Sequence, residues 1–189
     1  MKSIKLFIGL CLFGLVTISY AAPVTCGSAE REATLDSANG CVTGLGNPMV
    51  SDIDANFASV TGWSNQGELT DDGTNQFLSA SLTSGSWGSA SIAGDWSIDA
   101  SFWDLFGQAV ISMHVGNGGG DPDYFSWLIV EGETTGTWEY ERLLGGGGGL
   151  SNLKLWGADL PERQVPAPAI ILLLGLGLIG LSVSKKYKK

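Results

Sequence analysis

The strongest constraint on this chain is an uncharged apolar stretch near its C-terminus. Residues 166–184 contain no charged side chain, and four lysines follow at Lys185, Lys186, Lys188 and Lys189. A helix that crosses a bilayer needs roughly 17–25 apolar residues, and lysines beside such a span favour the cytoplasmic side. The pattern therefore predicts a single C-terminal transmembrane helix in the inner membrane, with the rest of the protein outside. A buried core helix is the alternative, but it gives no reason for the lysines.

The N-terminal 21 residues have the pattern of a secretory signal peptide. Lys2 and Lys5 precede an apolar run. Small residues then lead to the bond between Ala21 and Ala22, where we place cleavage by signal peptidase. An uncleaved anchor is the alternative. Either reading exports the middle of the chain through the secretory pathway.

Two cysteines remain after removal of the signal peptide, Cys26 and Cys41. An even number of cysteines in an exported segment favours a disulfide. Structural zinc usually takes four ligands, so two cysteines alone make a poor metal site. We expect a Cys26–Cys41 bridge.

The middle of the chain is strongly acidic. Residues 22–164 contain all 19 acidic residues but only four basic ones, which gives this segment a net charge of −15. Nucleic acids and anionic lipid surfaces are bound through Lys and Arg. We therefore expect no nucleic-acid partner.

The segment is rich in Gly, Ser and Thr, and its hydrophobic pattern changes over short distances. Such a pattern predicts an all-β fold, an antiparallel β-sandwich that is jelly-roll-like. The clearest alternation lies at 109–115, and the residues at 125–131 are apolar on both faces, as in a central strand. The other predicted strands lie at 60–63, 77–82, 87–92, 96–100, 137–142 and 150–157. A turn is predicted at Gly94-Asp95, and the region 49–58 fits either a helical turn or a loop.

The C-terminal region resembles the PEP-CTERM sorting signal in the order of its parts. Val165, Pro166, Ala167 and Pro168 stand where that family has Val-Pro-Glu-Pro, followed by a Leu/Gly-rich run and the lysine-rich end. Ala167 replaces the usual Glu, and lysines replace arginines. The resemblance implies an exosortase as processing partner, removal of the tail, transfer to the cell surface, and an organism that makes extracellular polysaccharide. The middle resembles, more loosely, the ectodomains of such proteins.

Little in the middle of the chain points to catalysis. The only histidine, His114, lies on the polar face of a predicted strand and lacks a Gly-x-Ser-x-Gly partner motif. Some pair among 19 carboxylates always lies close enough for glycoside hydrolysis, so their number discriminates nothing. We expect no enzyme and no cofactor.

Two oxygen-rich turns are candidate calcium sites. Asp, Asn and Gly are also ordinary turn formers. The candidate ligands are Asp71, Asp72 and Asn75 in one turn, and Asp121 and Asp123 in the other.

Four tryptophans are candidates for a platform on which sugars stack. Large aromatic residues in small β domains usually lie in the core, which is the competing interpretation. The candidates are Trp63, Trp87, Trp103 and Trp138.

The sequence divides into four parts. They are a signal peptide (1–21), an N-terminal segment with the disulfide loop (22–59), the β-sandwich core (60–160) and the sorting signal (161–189). The expected function is a non-enzymatic cell-surface or extracellular-matrix protein linked to exopolysaccharide and to biofilm or floc formation. The alternatives are a carbohydrate-binding, lectin-like module and, third, a secreted hydrolase.

Overall fold

A computed structural model describes residues 22–116 and 118–158. The predicted signal peptide, the sorting motif and the C-terminal helix lie outside these residues. The described part is mostly β, with two antiparallel sheets and one α-helix. The all-β, two-sheet prediction is therefore confirmed.

Each sheet combines strands from distant parts of the chain. In spatial order, sheet A contains β1 (Val24–Gly27), β2 (Arg31–Leu35), β10 (Thr135–Arg142), β7 (Ser91–Ile98), β6 (Leu78–Ser84) and β5 (Gly73–Thr74). Sheet B contains β3 (Ala38–Gly44), β9 (Tyr124–Ile129), β8 (Gln108–His114), β11 (Asn152–Ala158) and β4 (Ser64–Leu69). A 3-10 helix at Ala100–Asp104 connects β7 to β8.

The core lies between the inner faces of the two sheets. Alternate residues of sheet A, such as Ile92 and Tyr140, meet Ile111, Phe125 and Leu155 from sheet B, and all five are buried. This follows from the period of two in strand side chains, which directs every second residue to the same face. Apolar burial between the sheets is the main source of stability.

Two glycines make room for two tryptophans within this core. Trp96 on β7 pairs across the sheet with Gly136 on β10, and Trp138 on β10 pairs with Gly94 on β7. A Cβ on Gly136 would lie 2.7 Å from Trp96 Nε1, and one on Gly94 would lie 2.6 Å from a ring carbon of Trp138. Each indole thus covers the glycine of the neighbouring strand. The predicted turn at Gly94-Asp95 is wrong because Gly94 provides space for a ring in the middle of one continuous strand.

A second hydrophobic layer covers the outer face of sheet B. The helix α1 (Val50–Asn56) and the residues after it place Ile53, Phe57 and Trp63 against Val110 and Trp156. The helix is amphipathic: Ile53 is buried while its neighbours in sequence are not. The interior strands of sheet B, β8, β9 and β11, are consequently buried on both sides.

The disulfide between Cys26 and Cys41 is confirmed. It joins β1, at the edge of sheet A, to β3, at the edge of sheet B, with 6.1 Å between the two Cα atoms. The bridge therefore fastens the two sheets together along one side of the sandwich.

Several strand predictions agree with the structure and others do not. The strands predicted at 109–115, 125–131, 137–142 and 150–157 correspond to β8, β9, β10 and β11, and β9 is an interior strand. The predicted strand at 60–63 is wrong, because these residues lead from α1 into β4. Residues 24–44, placed before the core on sequence grounds, contribute three strands to the two sheets.

Candidate functional site: a polar groove on sheet A

A groove of about 750 Å³ lies on the outer face of sheet A. Its floor consists of outward-facing residues of β6, β7 and β10, and Asp72 with β5 borders it. The inward residues of β7, such as Trp96 and Ile98, fill the core, so the intervening Asp95 and Ser97 face outward. The groove therefore follows from the alternation of the strands.

Small polar side chains line the groove in two rows that cross three strands. The register of the sheet places Ser81, Asp95 and Thr137 in one row. It places Ser79, Ser97 and Thr135 in the other. Two residues along a strand separate the rows, a distance of about 7 Å. The rows offer hydroxyl donors and acceptors together with one carboxylate.

The carboxylates around the groove have different roles. Asp72 Oδ1 accepts a hydrogen bond from Trp87 Nε1 (2.7 Å), and Asp72 Oδ2 accepts one from the Leu82 amide (3.2 Å). Asp36 Oδ2 accepts from the hydroxyl and the amide of Thr137. The Asp95 carboxylate, by contrast, is exposed and accepts no hydrogen bond from a described residue. Only the backbone carbonyl of Asp95 accepts one, from Trp138 Nε1. Asp95 is thus the carboxylate in the groove with oxygens available to a ligand.

The four candidate tryptophans do not form one platform. Trp63 and Trp138 are only 4% and 2% exposed, so their rings belong to the core. Rings buried to this degree have no free face on which a sugar could stack. Trp87 and Trp103 are half-buried and lie in the connections at the two ends of β7. Trp103 Nε1 donates to the Glu133 carbonyl (3.0 Å). Sequence reasoning missed the groove because its lining consists of ordinary outward Ser, Thr and Asp residues.

The oxygens of the first candidate calcium turn stabilise the turn itself. Asp71 Oδ1 accepts from the Asp72 amide (2.8 Å), and Asn75 Oδ1 accepts from the amides of Phe77 and Leu78. Together with the two bonds to Asp72, these contacts use the side-chain oxygens as turn and edge caps.

In the second candidate calcium turn, a buried arginine contacts one of the two carboxylates. Asp123 Oδ1 lies 3.2 Å from Arg31 Nη1, and Asp123 Oδ2 accepts from the Gly46 amide. Asp121 contributes backbone contacts to Glu30 and Ser28. Over residues 22–116 and 118–158, no group of three or more His, Cys, Asp or Glu side chains is placed to hold a metal ion. Calcium binding stays a prediction.

Arg31 also explains the glycines that follow β8 and β10. Its Nη1 donates to the carbonyls of Gly116 (3.3 Å) and Pro122 (2.8 Å), and a Cβ on Gly148 would lie 2.4 Å from its Nη2. The Tyr140 hydroxyl donates to the Gly148 carbonyl (3.0 Å), and burial raises the pKa of Tyr140. These glycines allow the two loops to close tightly around a buried guanidinium.

His114 lies at the end of β8 beside buried polar residues of sheet B. On the same outer face, Trp156 Nε1 donates to Ser112 Oγ (2.9 Å), and Ser112 and Ser126 share a hydrogen bond (2.7 Å). Ser112 and Ser126 are fully buried under the α1 layer. These hydroxyls stabilise the packing of Trp156.

Comparison with known proteins gives one match. Residues 164–186 match the PEP-CTERM protein-sorting motif. The chain is thus a two-sheet β protein that carries a PEP-CTERM sorting signal near its C-terminus, as the resemblance in 165–168 and the lysine-rich end predicted. The comparisons with curated proteins and with solved structures found no match.

The sorting signal itself lies outside the described residues. Within residues 22–116 and 118–158, no helix has the length and apolar character needed to cross a bilayer. The predicted span at 166–184 is therefore not part of this description.

Proposed function

We propose that this jelly-roll-like sandwich is the ectodomain of an exported, non-enzymatic cell-surface or extracellular-matrix protein that an exosortase processes. The observation that carries the proposal is the PEP-CTERM motif at 164–186. The disulfide between the sheets supports it, because structural disulfides persist in oxidising compartments outside the cytoplasm.

The order of events follows from the two ends of the sequence. Signal peptidase cleaves after Ala21 and the domain folds outside the inner membrane. The apolar stretch 166–184 holds the protein in that membrane with the lysines on the cytoplasmic side. The exosortase then acts at the motif that begins with Val165, and the domain passes to the cell surface or to the exopolysaccharide around it.

Mass spectrometry of the cell-surface and extracellular fractions tests this order. The mature protein is expected to begin at Ala22 and to lack Lys189. The double variant Pro166→Ala/Pro168→Ala is expected to retain the tail and accumulate in the membrane fraction. Pro161→Ala, just before the matched motif, serves as the control and is expected to be processed normally. A mature surface protein that is intact through Lys189 would overturn the proposal.

A role in the matrix has its own readout. Deletion of the gene is expected to weaken cohesion of flocs or biofilm, and restoration of the full chain to reverse that effect. Unchanged cohesion in the deletion strain would refute the matrix role while leaving the sorting proposal intact.

The carbohydrate-binding alternative is favoured by one observation, the polar groove on sheet A. A secreted hydrolase is the third candidate, and no arrangement of described residues favours it. The side chains that line the groove indicate which class of ligand it would bind.

A further inference from the structure

The outer face of sheet A carries closely spaced hydroxyl groups in the groove. Acidic side chains occur over the whole described domain, including the exposed Asp54 on α1, Glu68 on β4 and Asp104 after β7. Negative charge therefore cannot select one place on the surface. Two adjacent rows of Ser and Thr, one of which contains Asp95, line the groove.

The chemistry of the rows is that of a polyhydroxyl ligand. A serine or threonine hydroxyl both donates and accepts, and a carboxylate accepts from up to four donors. Sugar hydroxyls have the same double capacity. A sugar hydroxyl that donates to Asp95 can at the same time accept from the Ser81 hydroxyl beside it in the row. The Thr137 hydroxyl, on the other side of Asp95, donates to Asp36 and is available to a ligand as an acceptor.

The charge around the groove excludes anionic ligands. None of the groove-lining residues is basic. The three basic residues of the described range are committed elsewhere. Arg31 and Lys154 are buried, and Arg142 donates to the Gly147 carbonyl. An anionic polymer would therefore meet no basic side chain in the groove. A cationic polymer would be attracted to acidic side chains over the whole domain, so charge alone would not direct it to the groove.

We propose that the groove formed by Ser79, Ser81, Asp95, Ser97, Thr135 and Thr137 is a binding site for a neutral polysaccharide. The inference deepens the carbohydrate-binding alternative and rests on the proposed function only for the location of the domain outside the cell. No large aromatic ring faces into the groove, because Trp96 is 2% exposed and its ring lies in the core. Binding therefore depends on hydrogen bonds, each of which contributes little net free energy in water. Such a site suits a polymer, whose repeating units rebind, better than a free monosaccharide.

Affinity electrophoresis of the purified mature protein provides the test, because retardation in a polysaccharide-containing gel detects weak binding. Gels would contain neutral polysaccharides (a mixed-linkage β-glucan, a galactomannan and a dextran), the anionic alginate or the cationic chitosan. We expect retardation by at least one neutral polymer, with a dissociation constant that is the same at low and high salt. Retardation only by chitosan, and only at low salt, would overturn the proposal in favour of nonspecific charge attraction. Retardation by none of the polymers would also overturn it.

Two pairs of matched variants locate the site. Asp95→Asn removes the carboxylate of the groove and is expected to weaken binding about tenfold, because hydrogen bonds to charged groups are the stronger ones. Its control is Glu139→Gln, which removes a carboxylate that also faces outward from sheet A, on β10, but lies outside the groove. Ser97→Val is expected to weaken binding roughly fivefold, and its control is Ser91→Val on the same face of β7.

Both controls are expected to bind within about twofold of the wild type. Thermal melting verifies that all four variants fold. Equal binding by Asp95→Asn, Ser97→Val and the wild type would place the ligand elsewhere and overturn the inference. Because tail processing is measured separately by mass spectrometry, failure of this experiment leaves the sorting proposal standing.

Discussion

The outer faces of the two sheets are built in opposite ways. On sheet B, every residue of β11 is buried, because α1 and Trp63 cover one side while sheet A covers the other. On sheet A, β10 alternates between buried and solvent-accessible residues, and nothing described covers the accessible ones. The covered face contributes to stability, whereas the bare face can change its side chains at little cost to folding. A binding function is expected on the face where packing does not fix the residues.

The largest expected effect is on the covered face. Trp156→Ala removes a buried ring packed among Val110 and Phe57 and leaves the Ser112 hydroxyl without its indole donor. The expected loss is about 3–5 kcal/mol in the free energy of unfolding, measured by chemical denaturation. On the bare face, Glu139→Ala is expected to change it by less than about 0.5 kcal/mol. Comparable losses in both variants would remove the distinction between the faces.

The disulfide holds the two differently built sheets together at one edge. Cys26→Ser/Cys41→Ser is expected to cost about 3 kcal/mol, since a bridge that closes a loop of about 15 residues restricts the unfolded chain by that amount. Thermal unfolding with and without a reductant measures the same effect in the wild-type protein. A transition temperature that does not respond to the reductant would show that packing alone joins the sheets.

A glycine that lies against a tryptophan ring in the interior of sheet A should tolerate a side chain less well than a glycine on the edge strand β3 of sheet B. Gly136→Ala places a Cβ 2.7 Å from Trp96 Nε1 and is expected to cost about 1–3 kcal/mol, because the buried indole has no space to move. Gly40 on β3 is the matched control, since a Cβ there would meet no atom within 4 Å. Gly40→Ala is expected to be neutral or slightly stabilising. Equal melting temperatures for the two variants would contradict the crowding at Gly136.

The smallest expected effect is a loss of stability in alkali that reports on the covered face. Burial, and then the negative charge of Asp52, raise the pKa of Tyr124, which lies on the outer face of β9. An unfolded tyrosine titrates near pH 10, so the contribution of the protonated Tyr124 is complete below about pH 10 and is lost as the pH rises further. Tyr124→Phe is expected to show a smaller fall in melting temperature between pH 9 and pH 11.

Some of that alkaline loss should persist in Tyr124→Phe, because burial also raises the pKa of Tyr140. The double variant with Tyr140→Phe is therefore expected to be the least sensitive. Identical alkaline curves for the wild type and both variants would show that neither hydroxyl is held in its protonated form.

The parts of the fold that were predictable are those whose side chains alternate strongly. β8 and β10 alternate between large apolar and polar residues, and β9 is apolar on both faces, so periodicity alone located them. β1, β2 and β3 consist mainly of small and polar residues. β2 pairs with β10 and β3 pairs with β9, roughly 80 to 110 residues away, and β1 joins the sheet only through β2. Local sequence carries no signal for such pairing. The disulfide was predictable because it depended only on the number of cysteines and the compartment.

The candidate site was less predictable than the fold. Trp138 was a candidate for sugar stacking because it is a large aromatic residue, but its position in the core depends on Gly94 across the sheet. The residues that line the groove give no signal in the sequence, because each of them is an ordinary solvent-facing residue of a strand. Only the register of three strands, which no local pattern encodes, brings Asp95 between Ser81 and Thr137.

The position of β11 has a mechanical consequence. This strand is the last described element before the sorting signal, and it lies between β8 and β4 with hydrogen bonds to both. A pulling force applied at Ala158 along the direction of β11 would load both rows of hydrogen bonds at once, in shear. A strand at the edge of a sheet would have only one such row. A protein held to a surface at this end would therefore carry the drag of flowing water on one of its best-anchored strands.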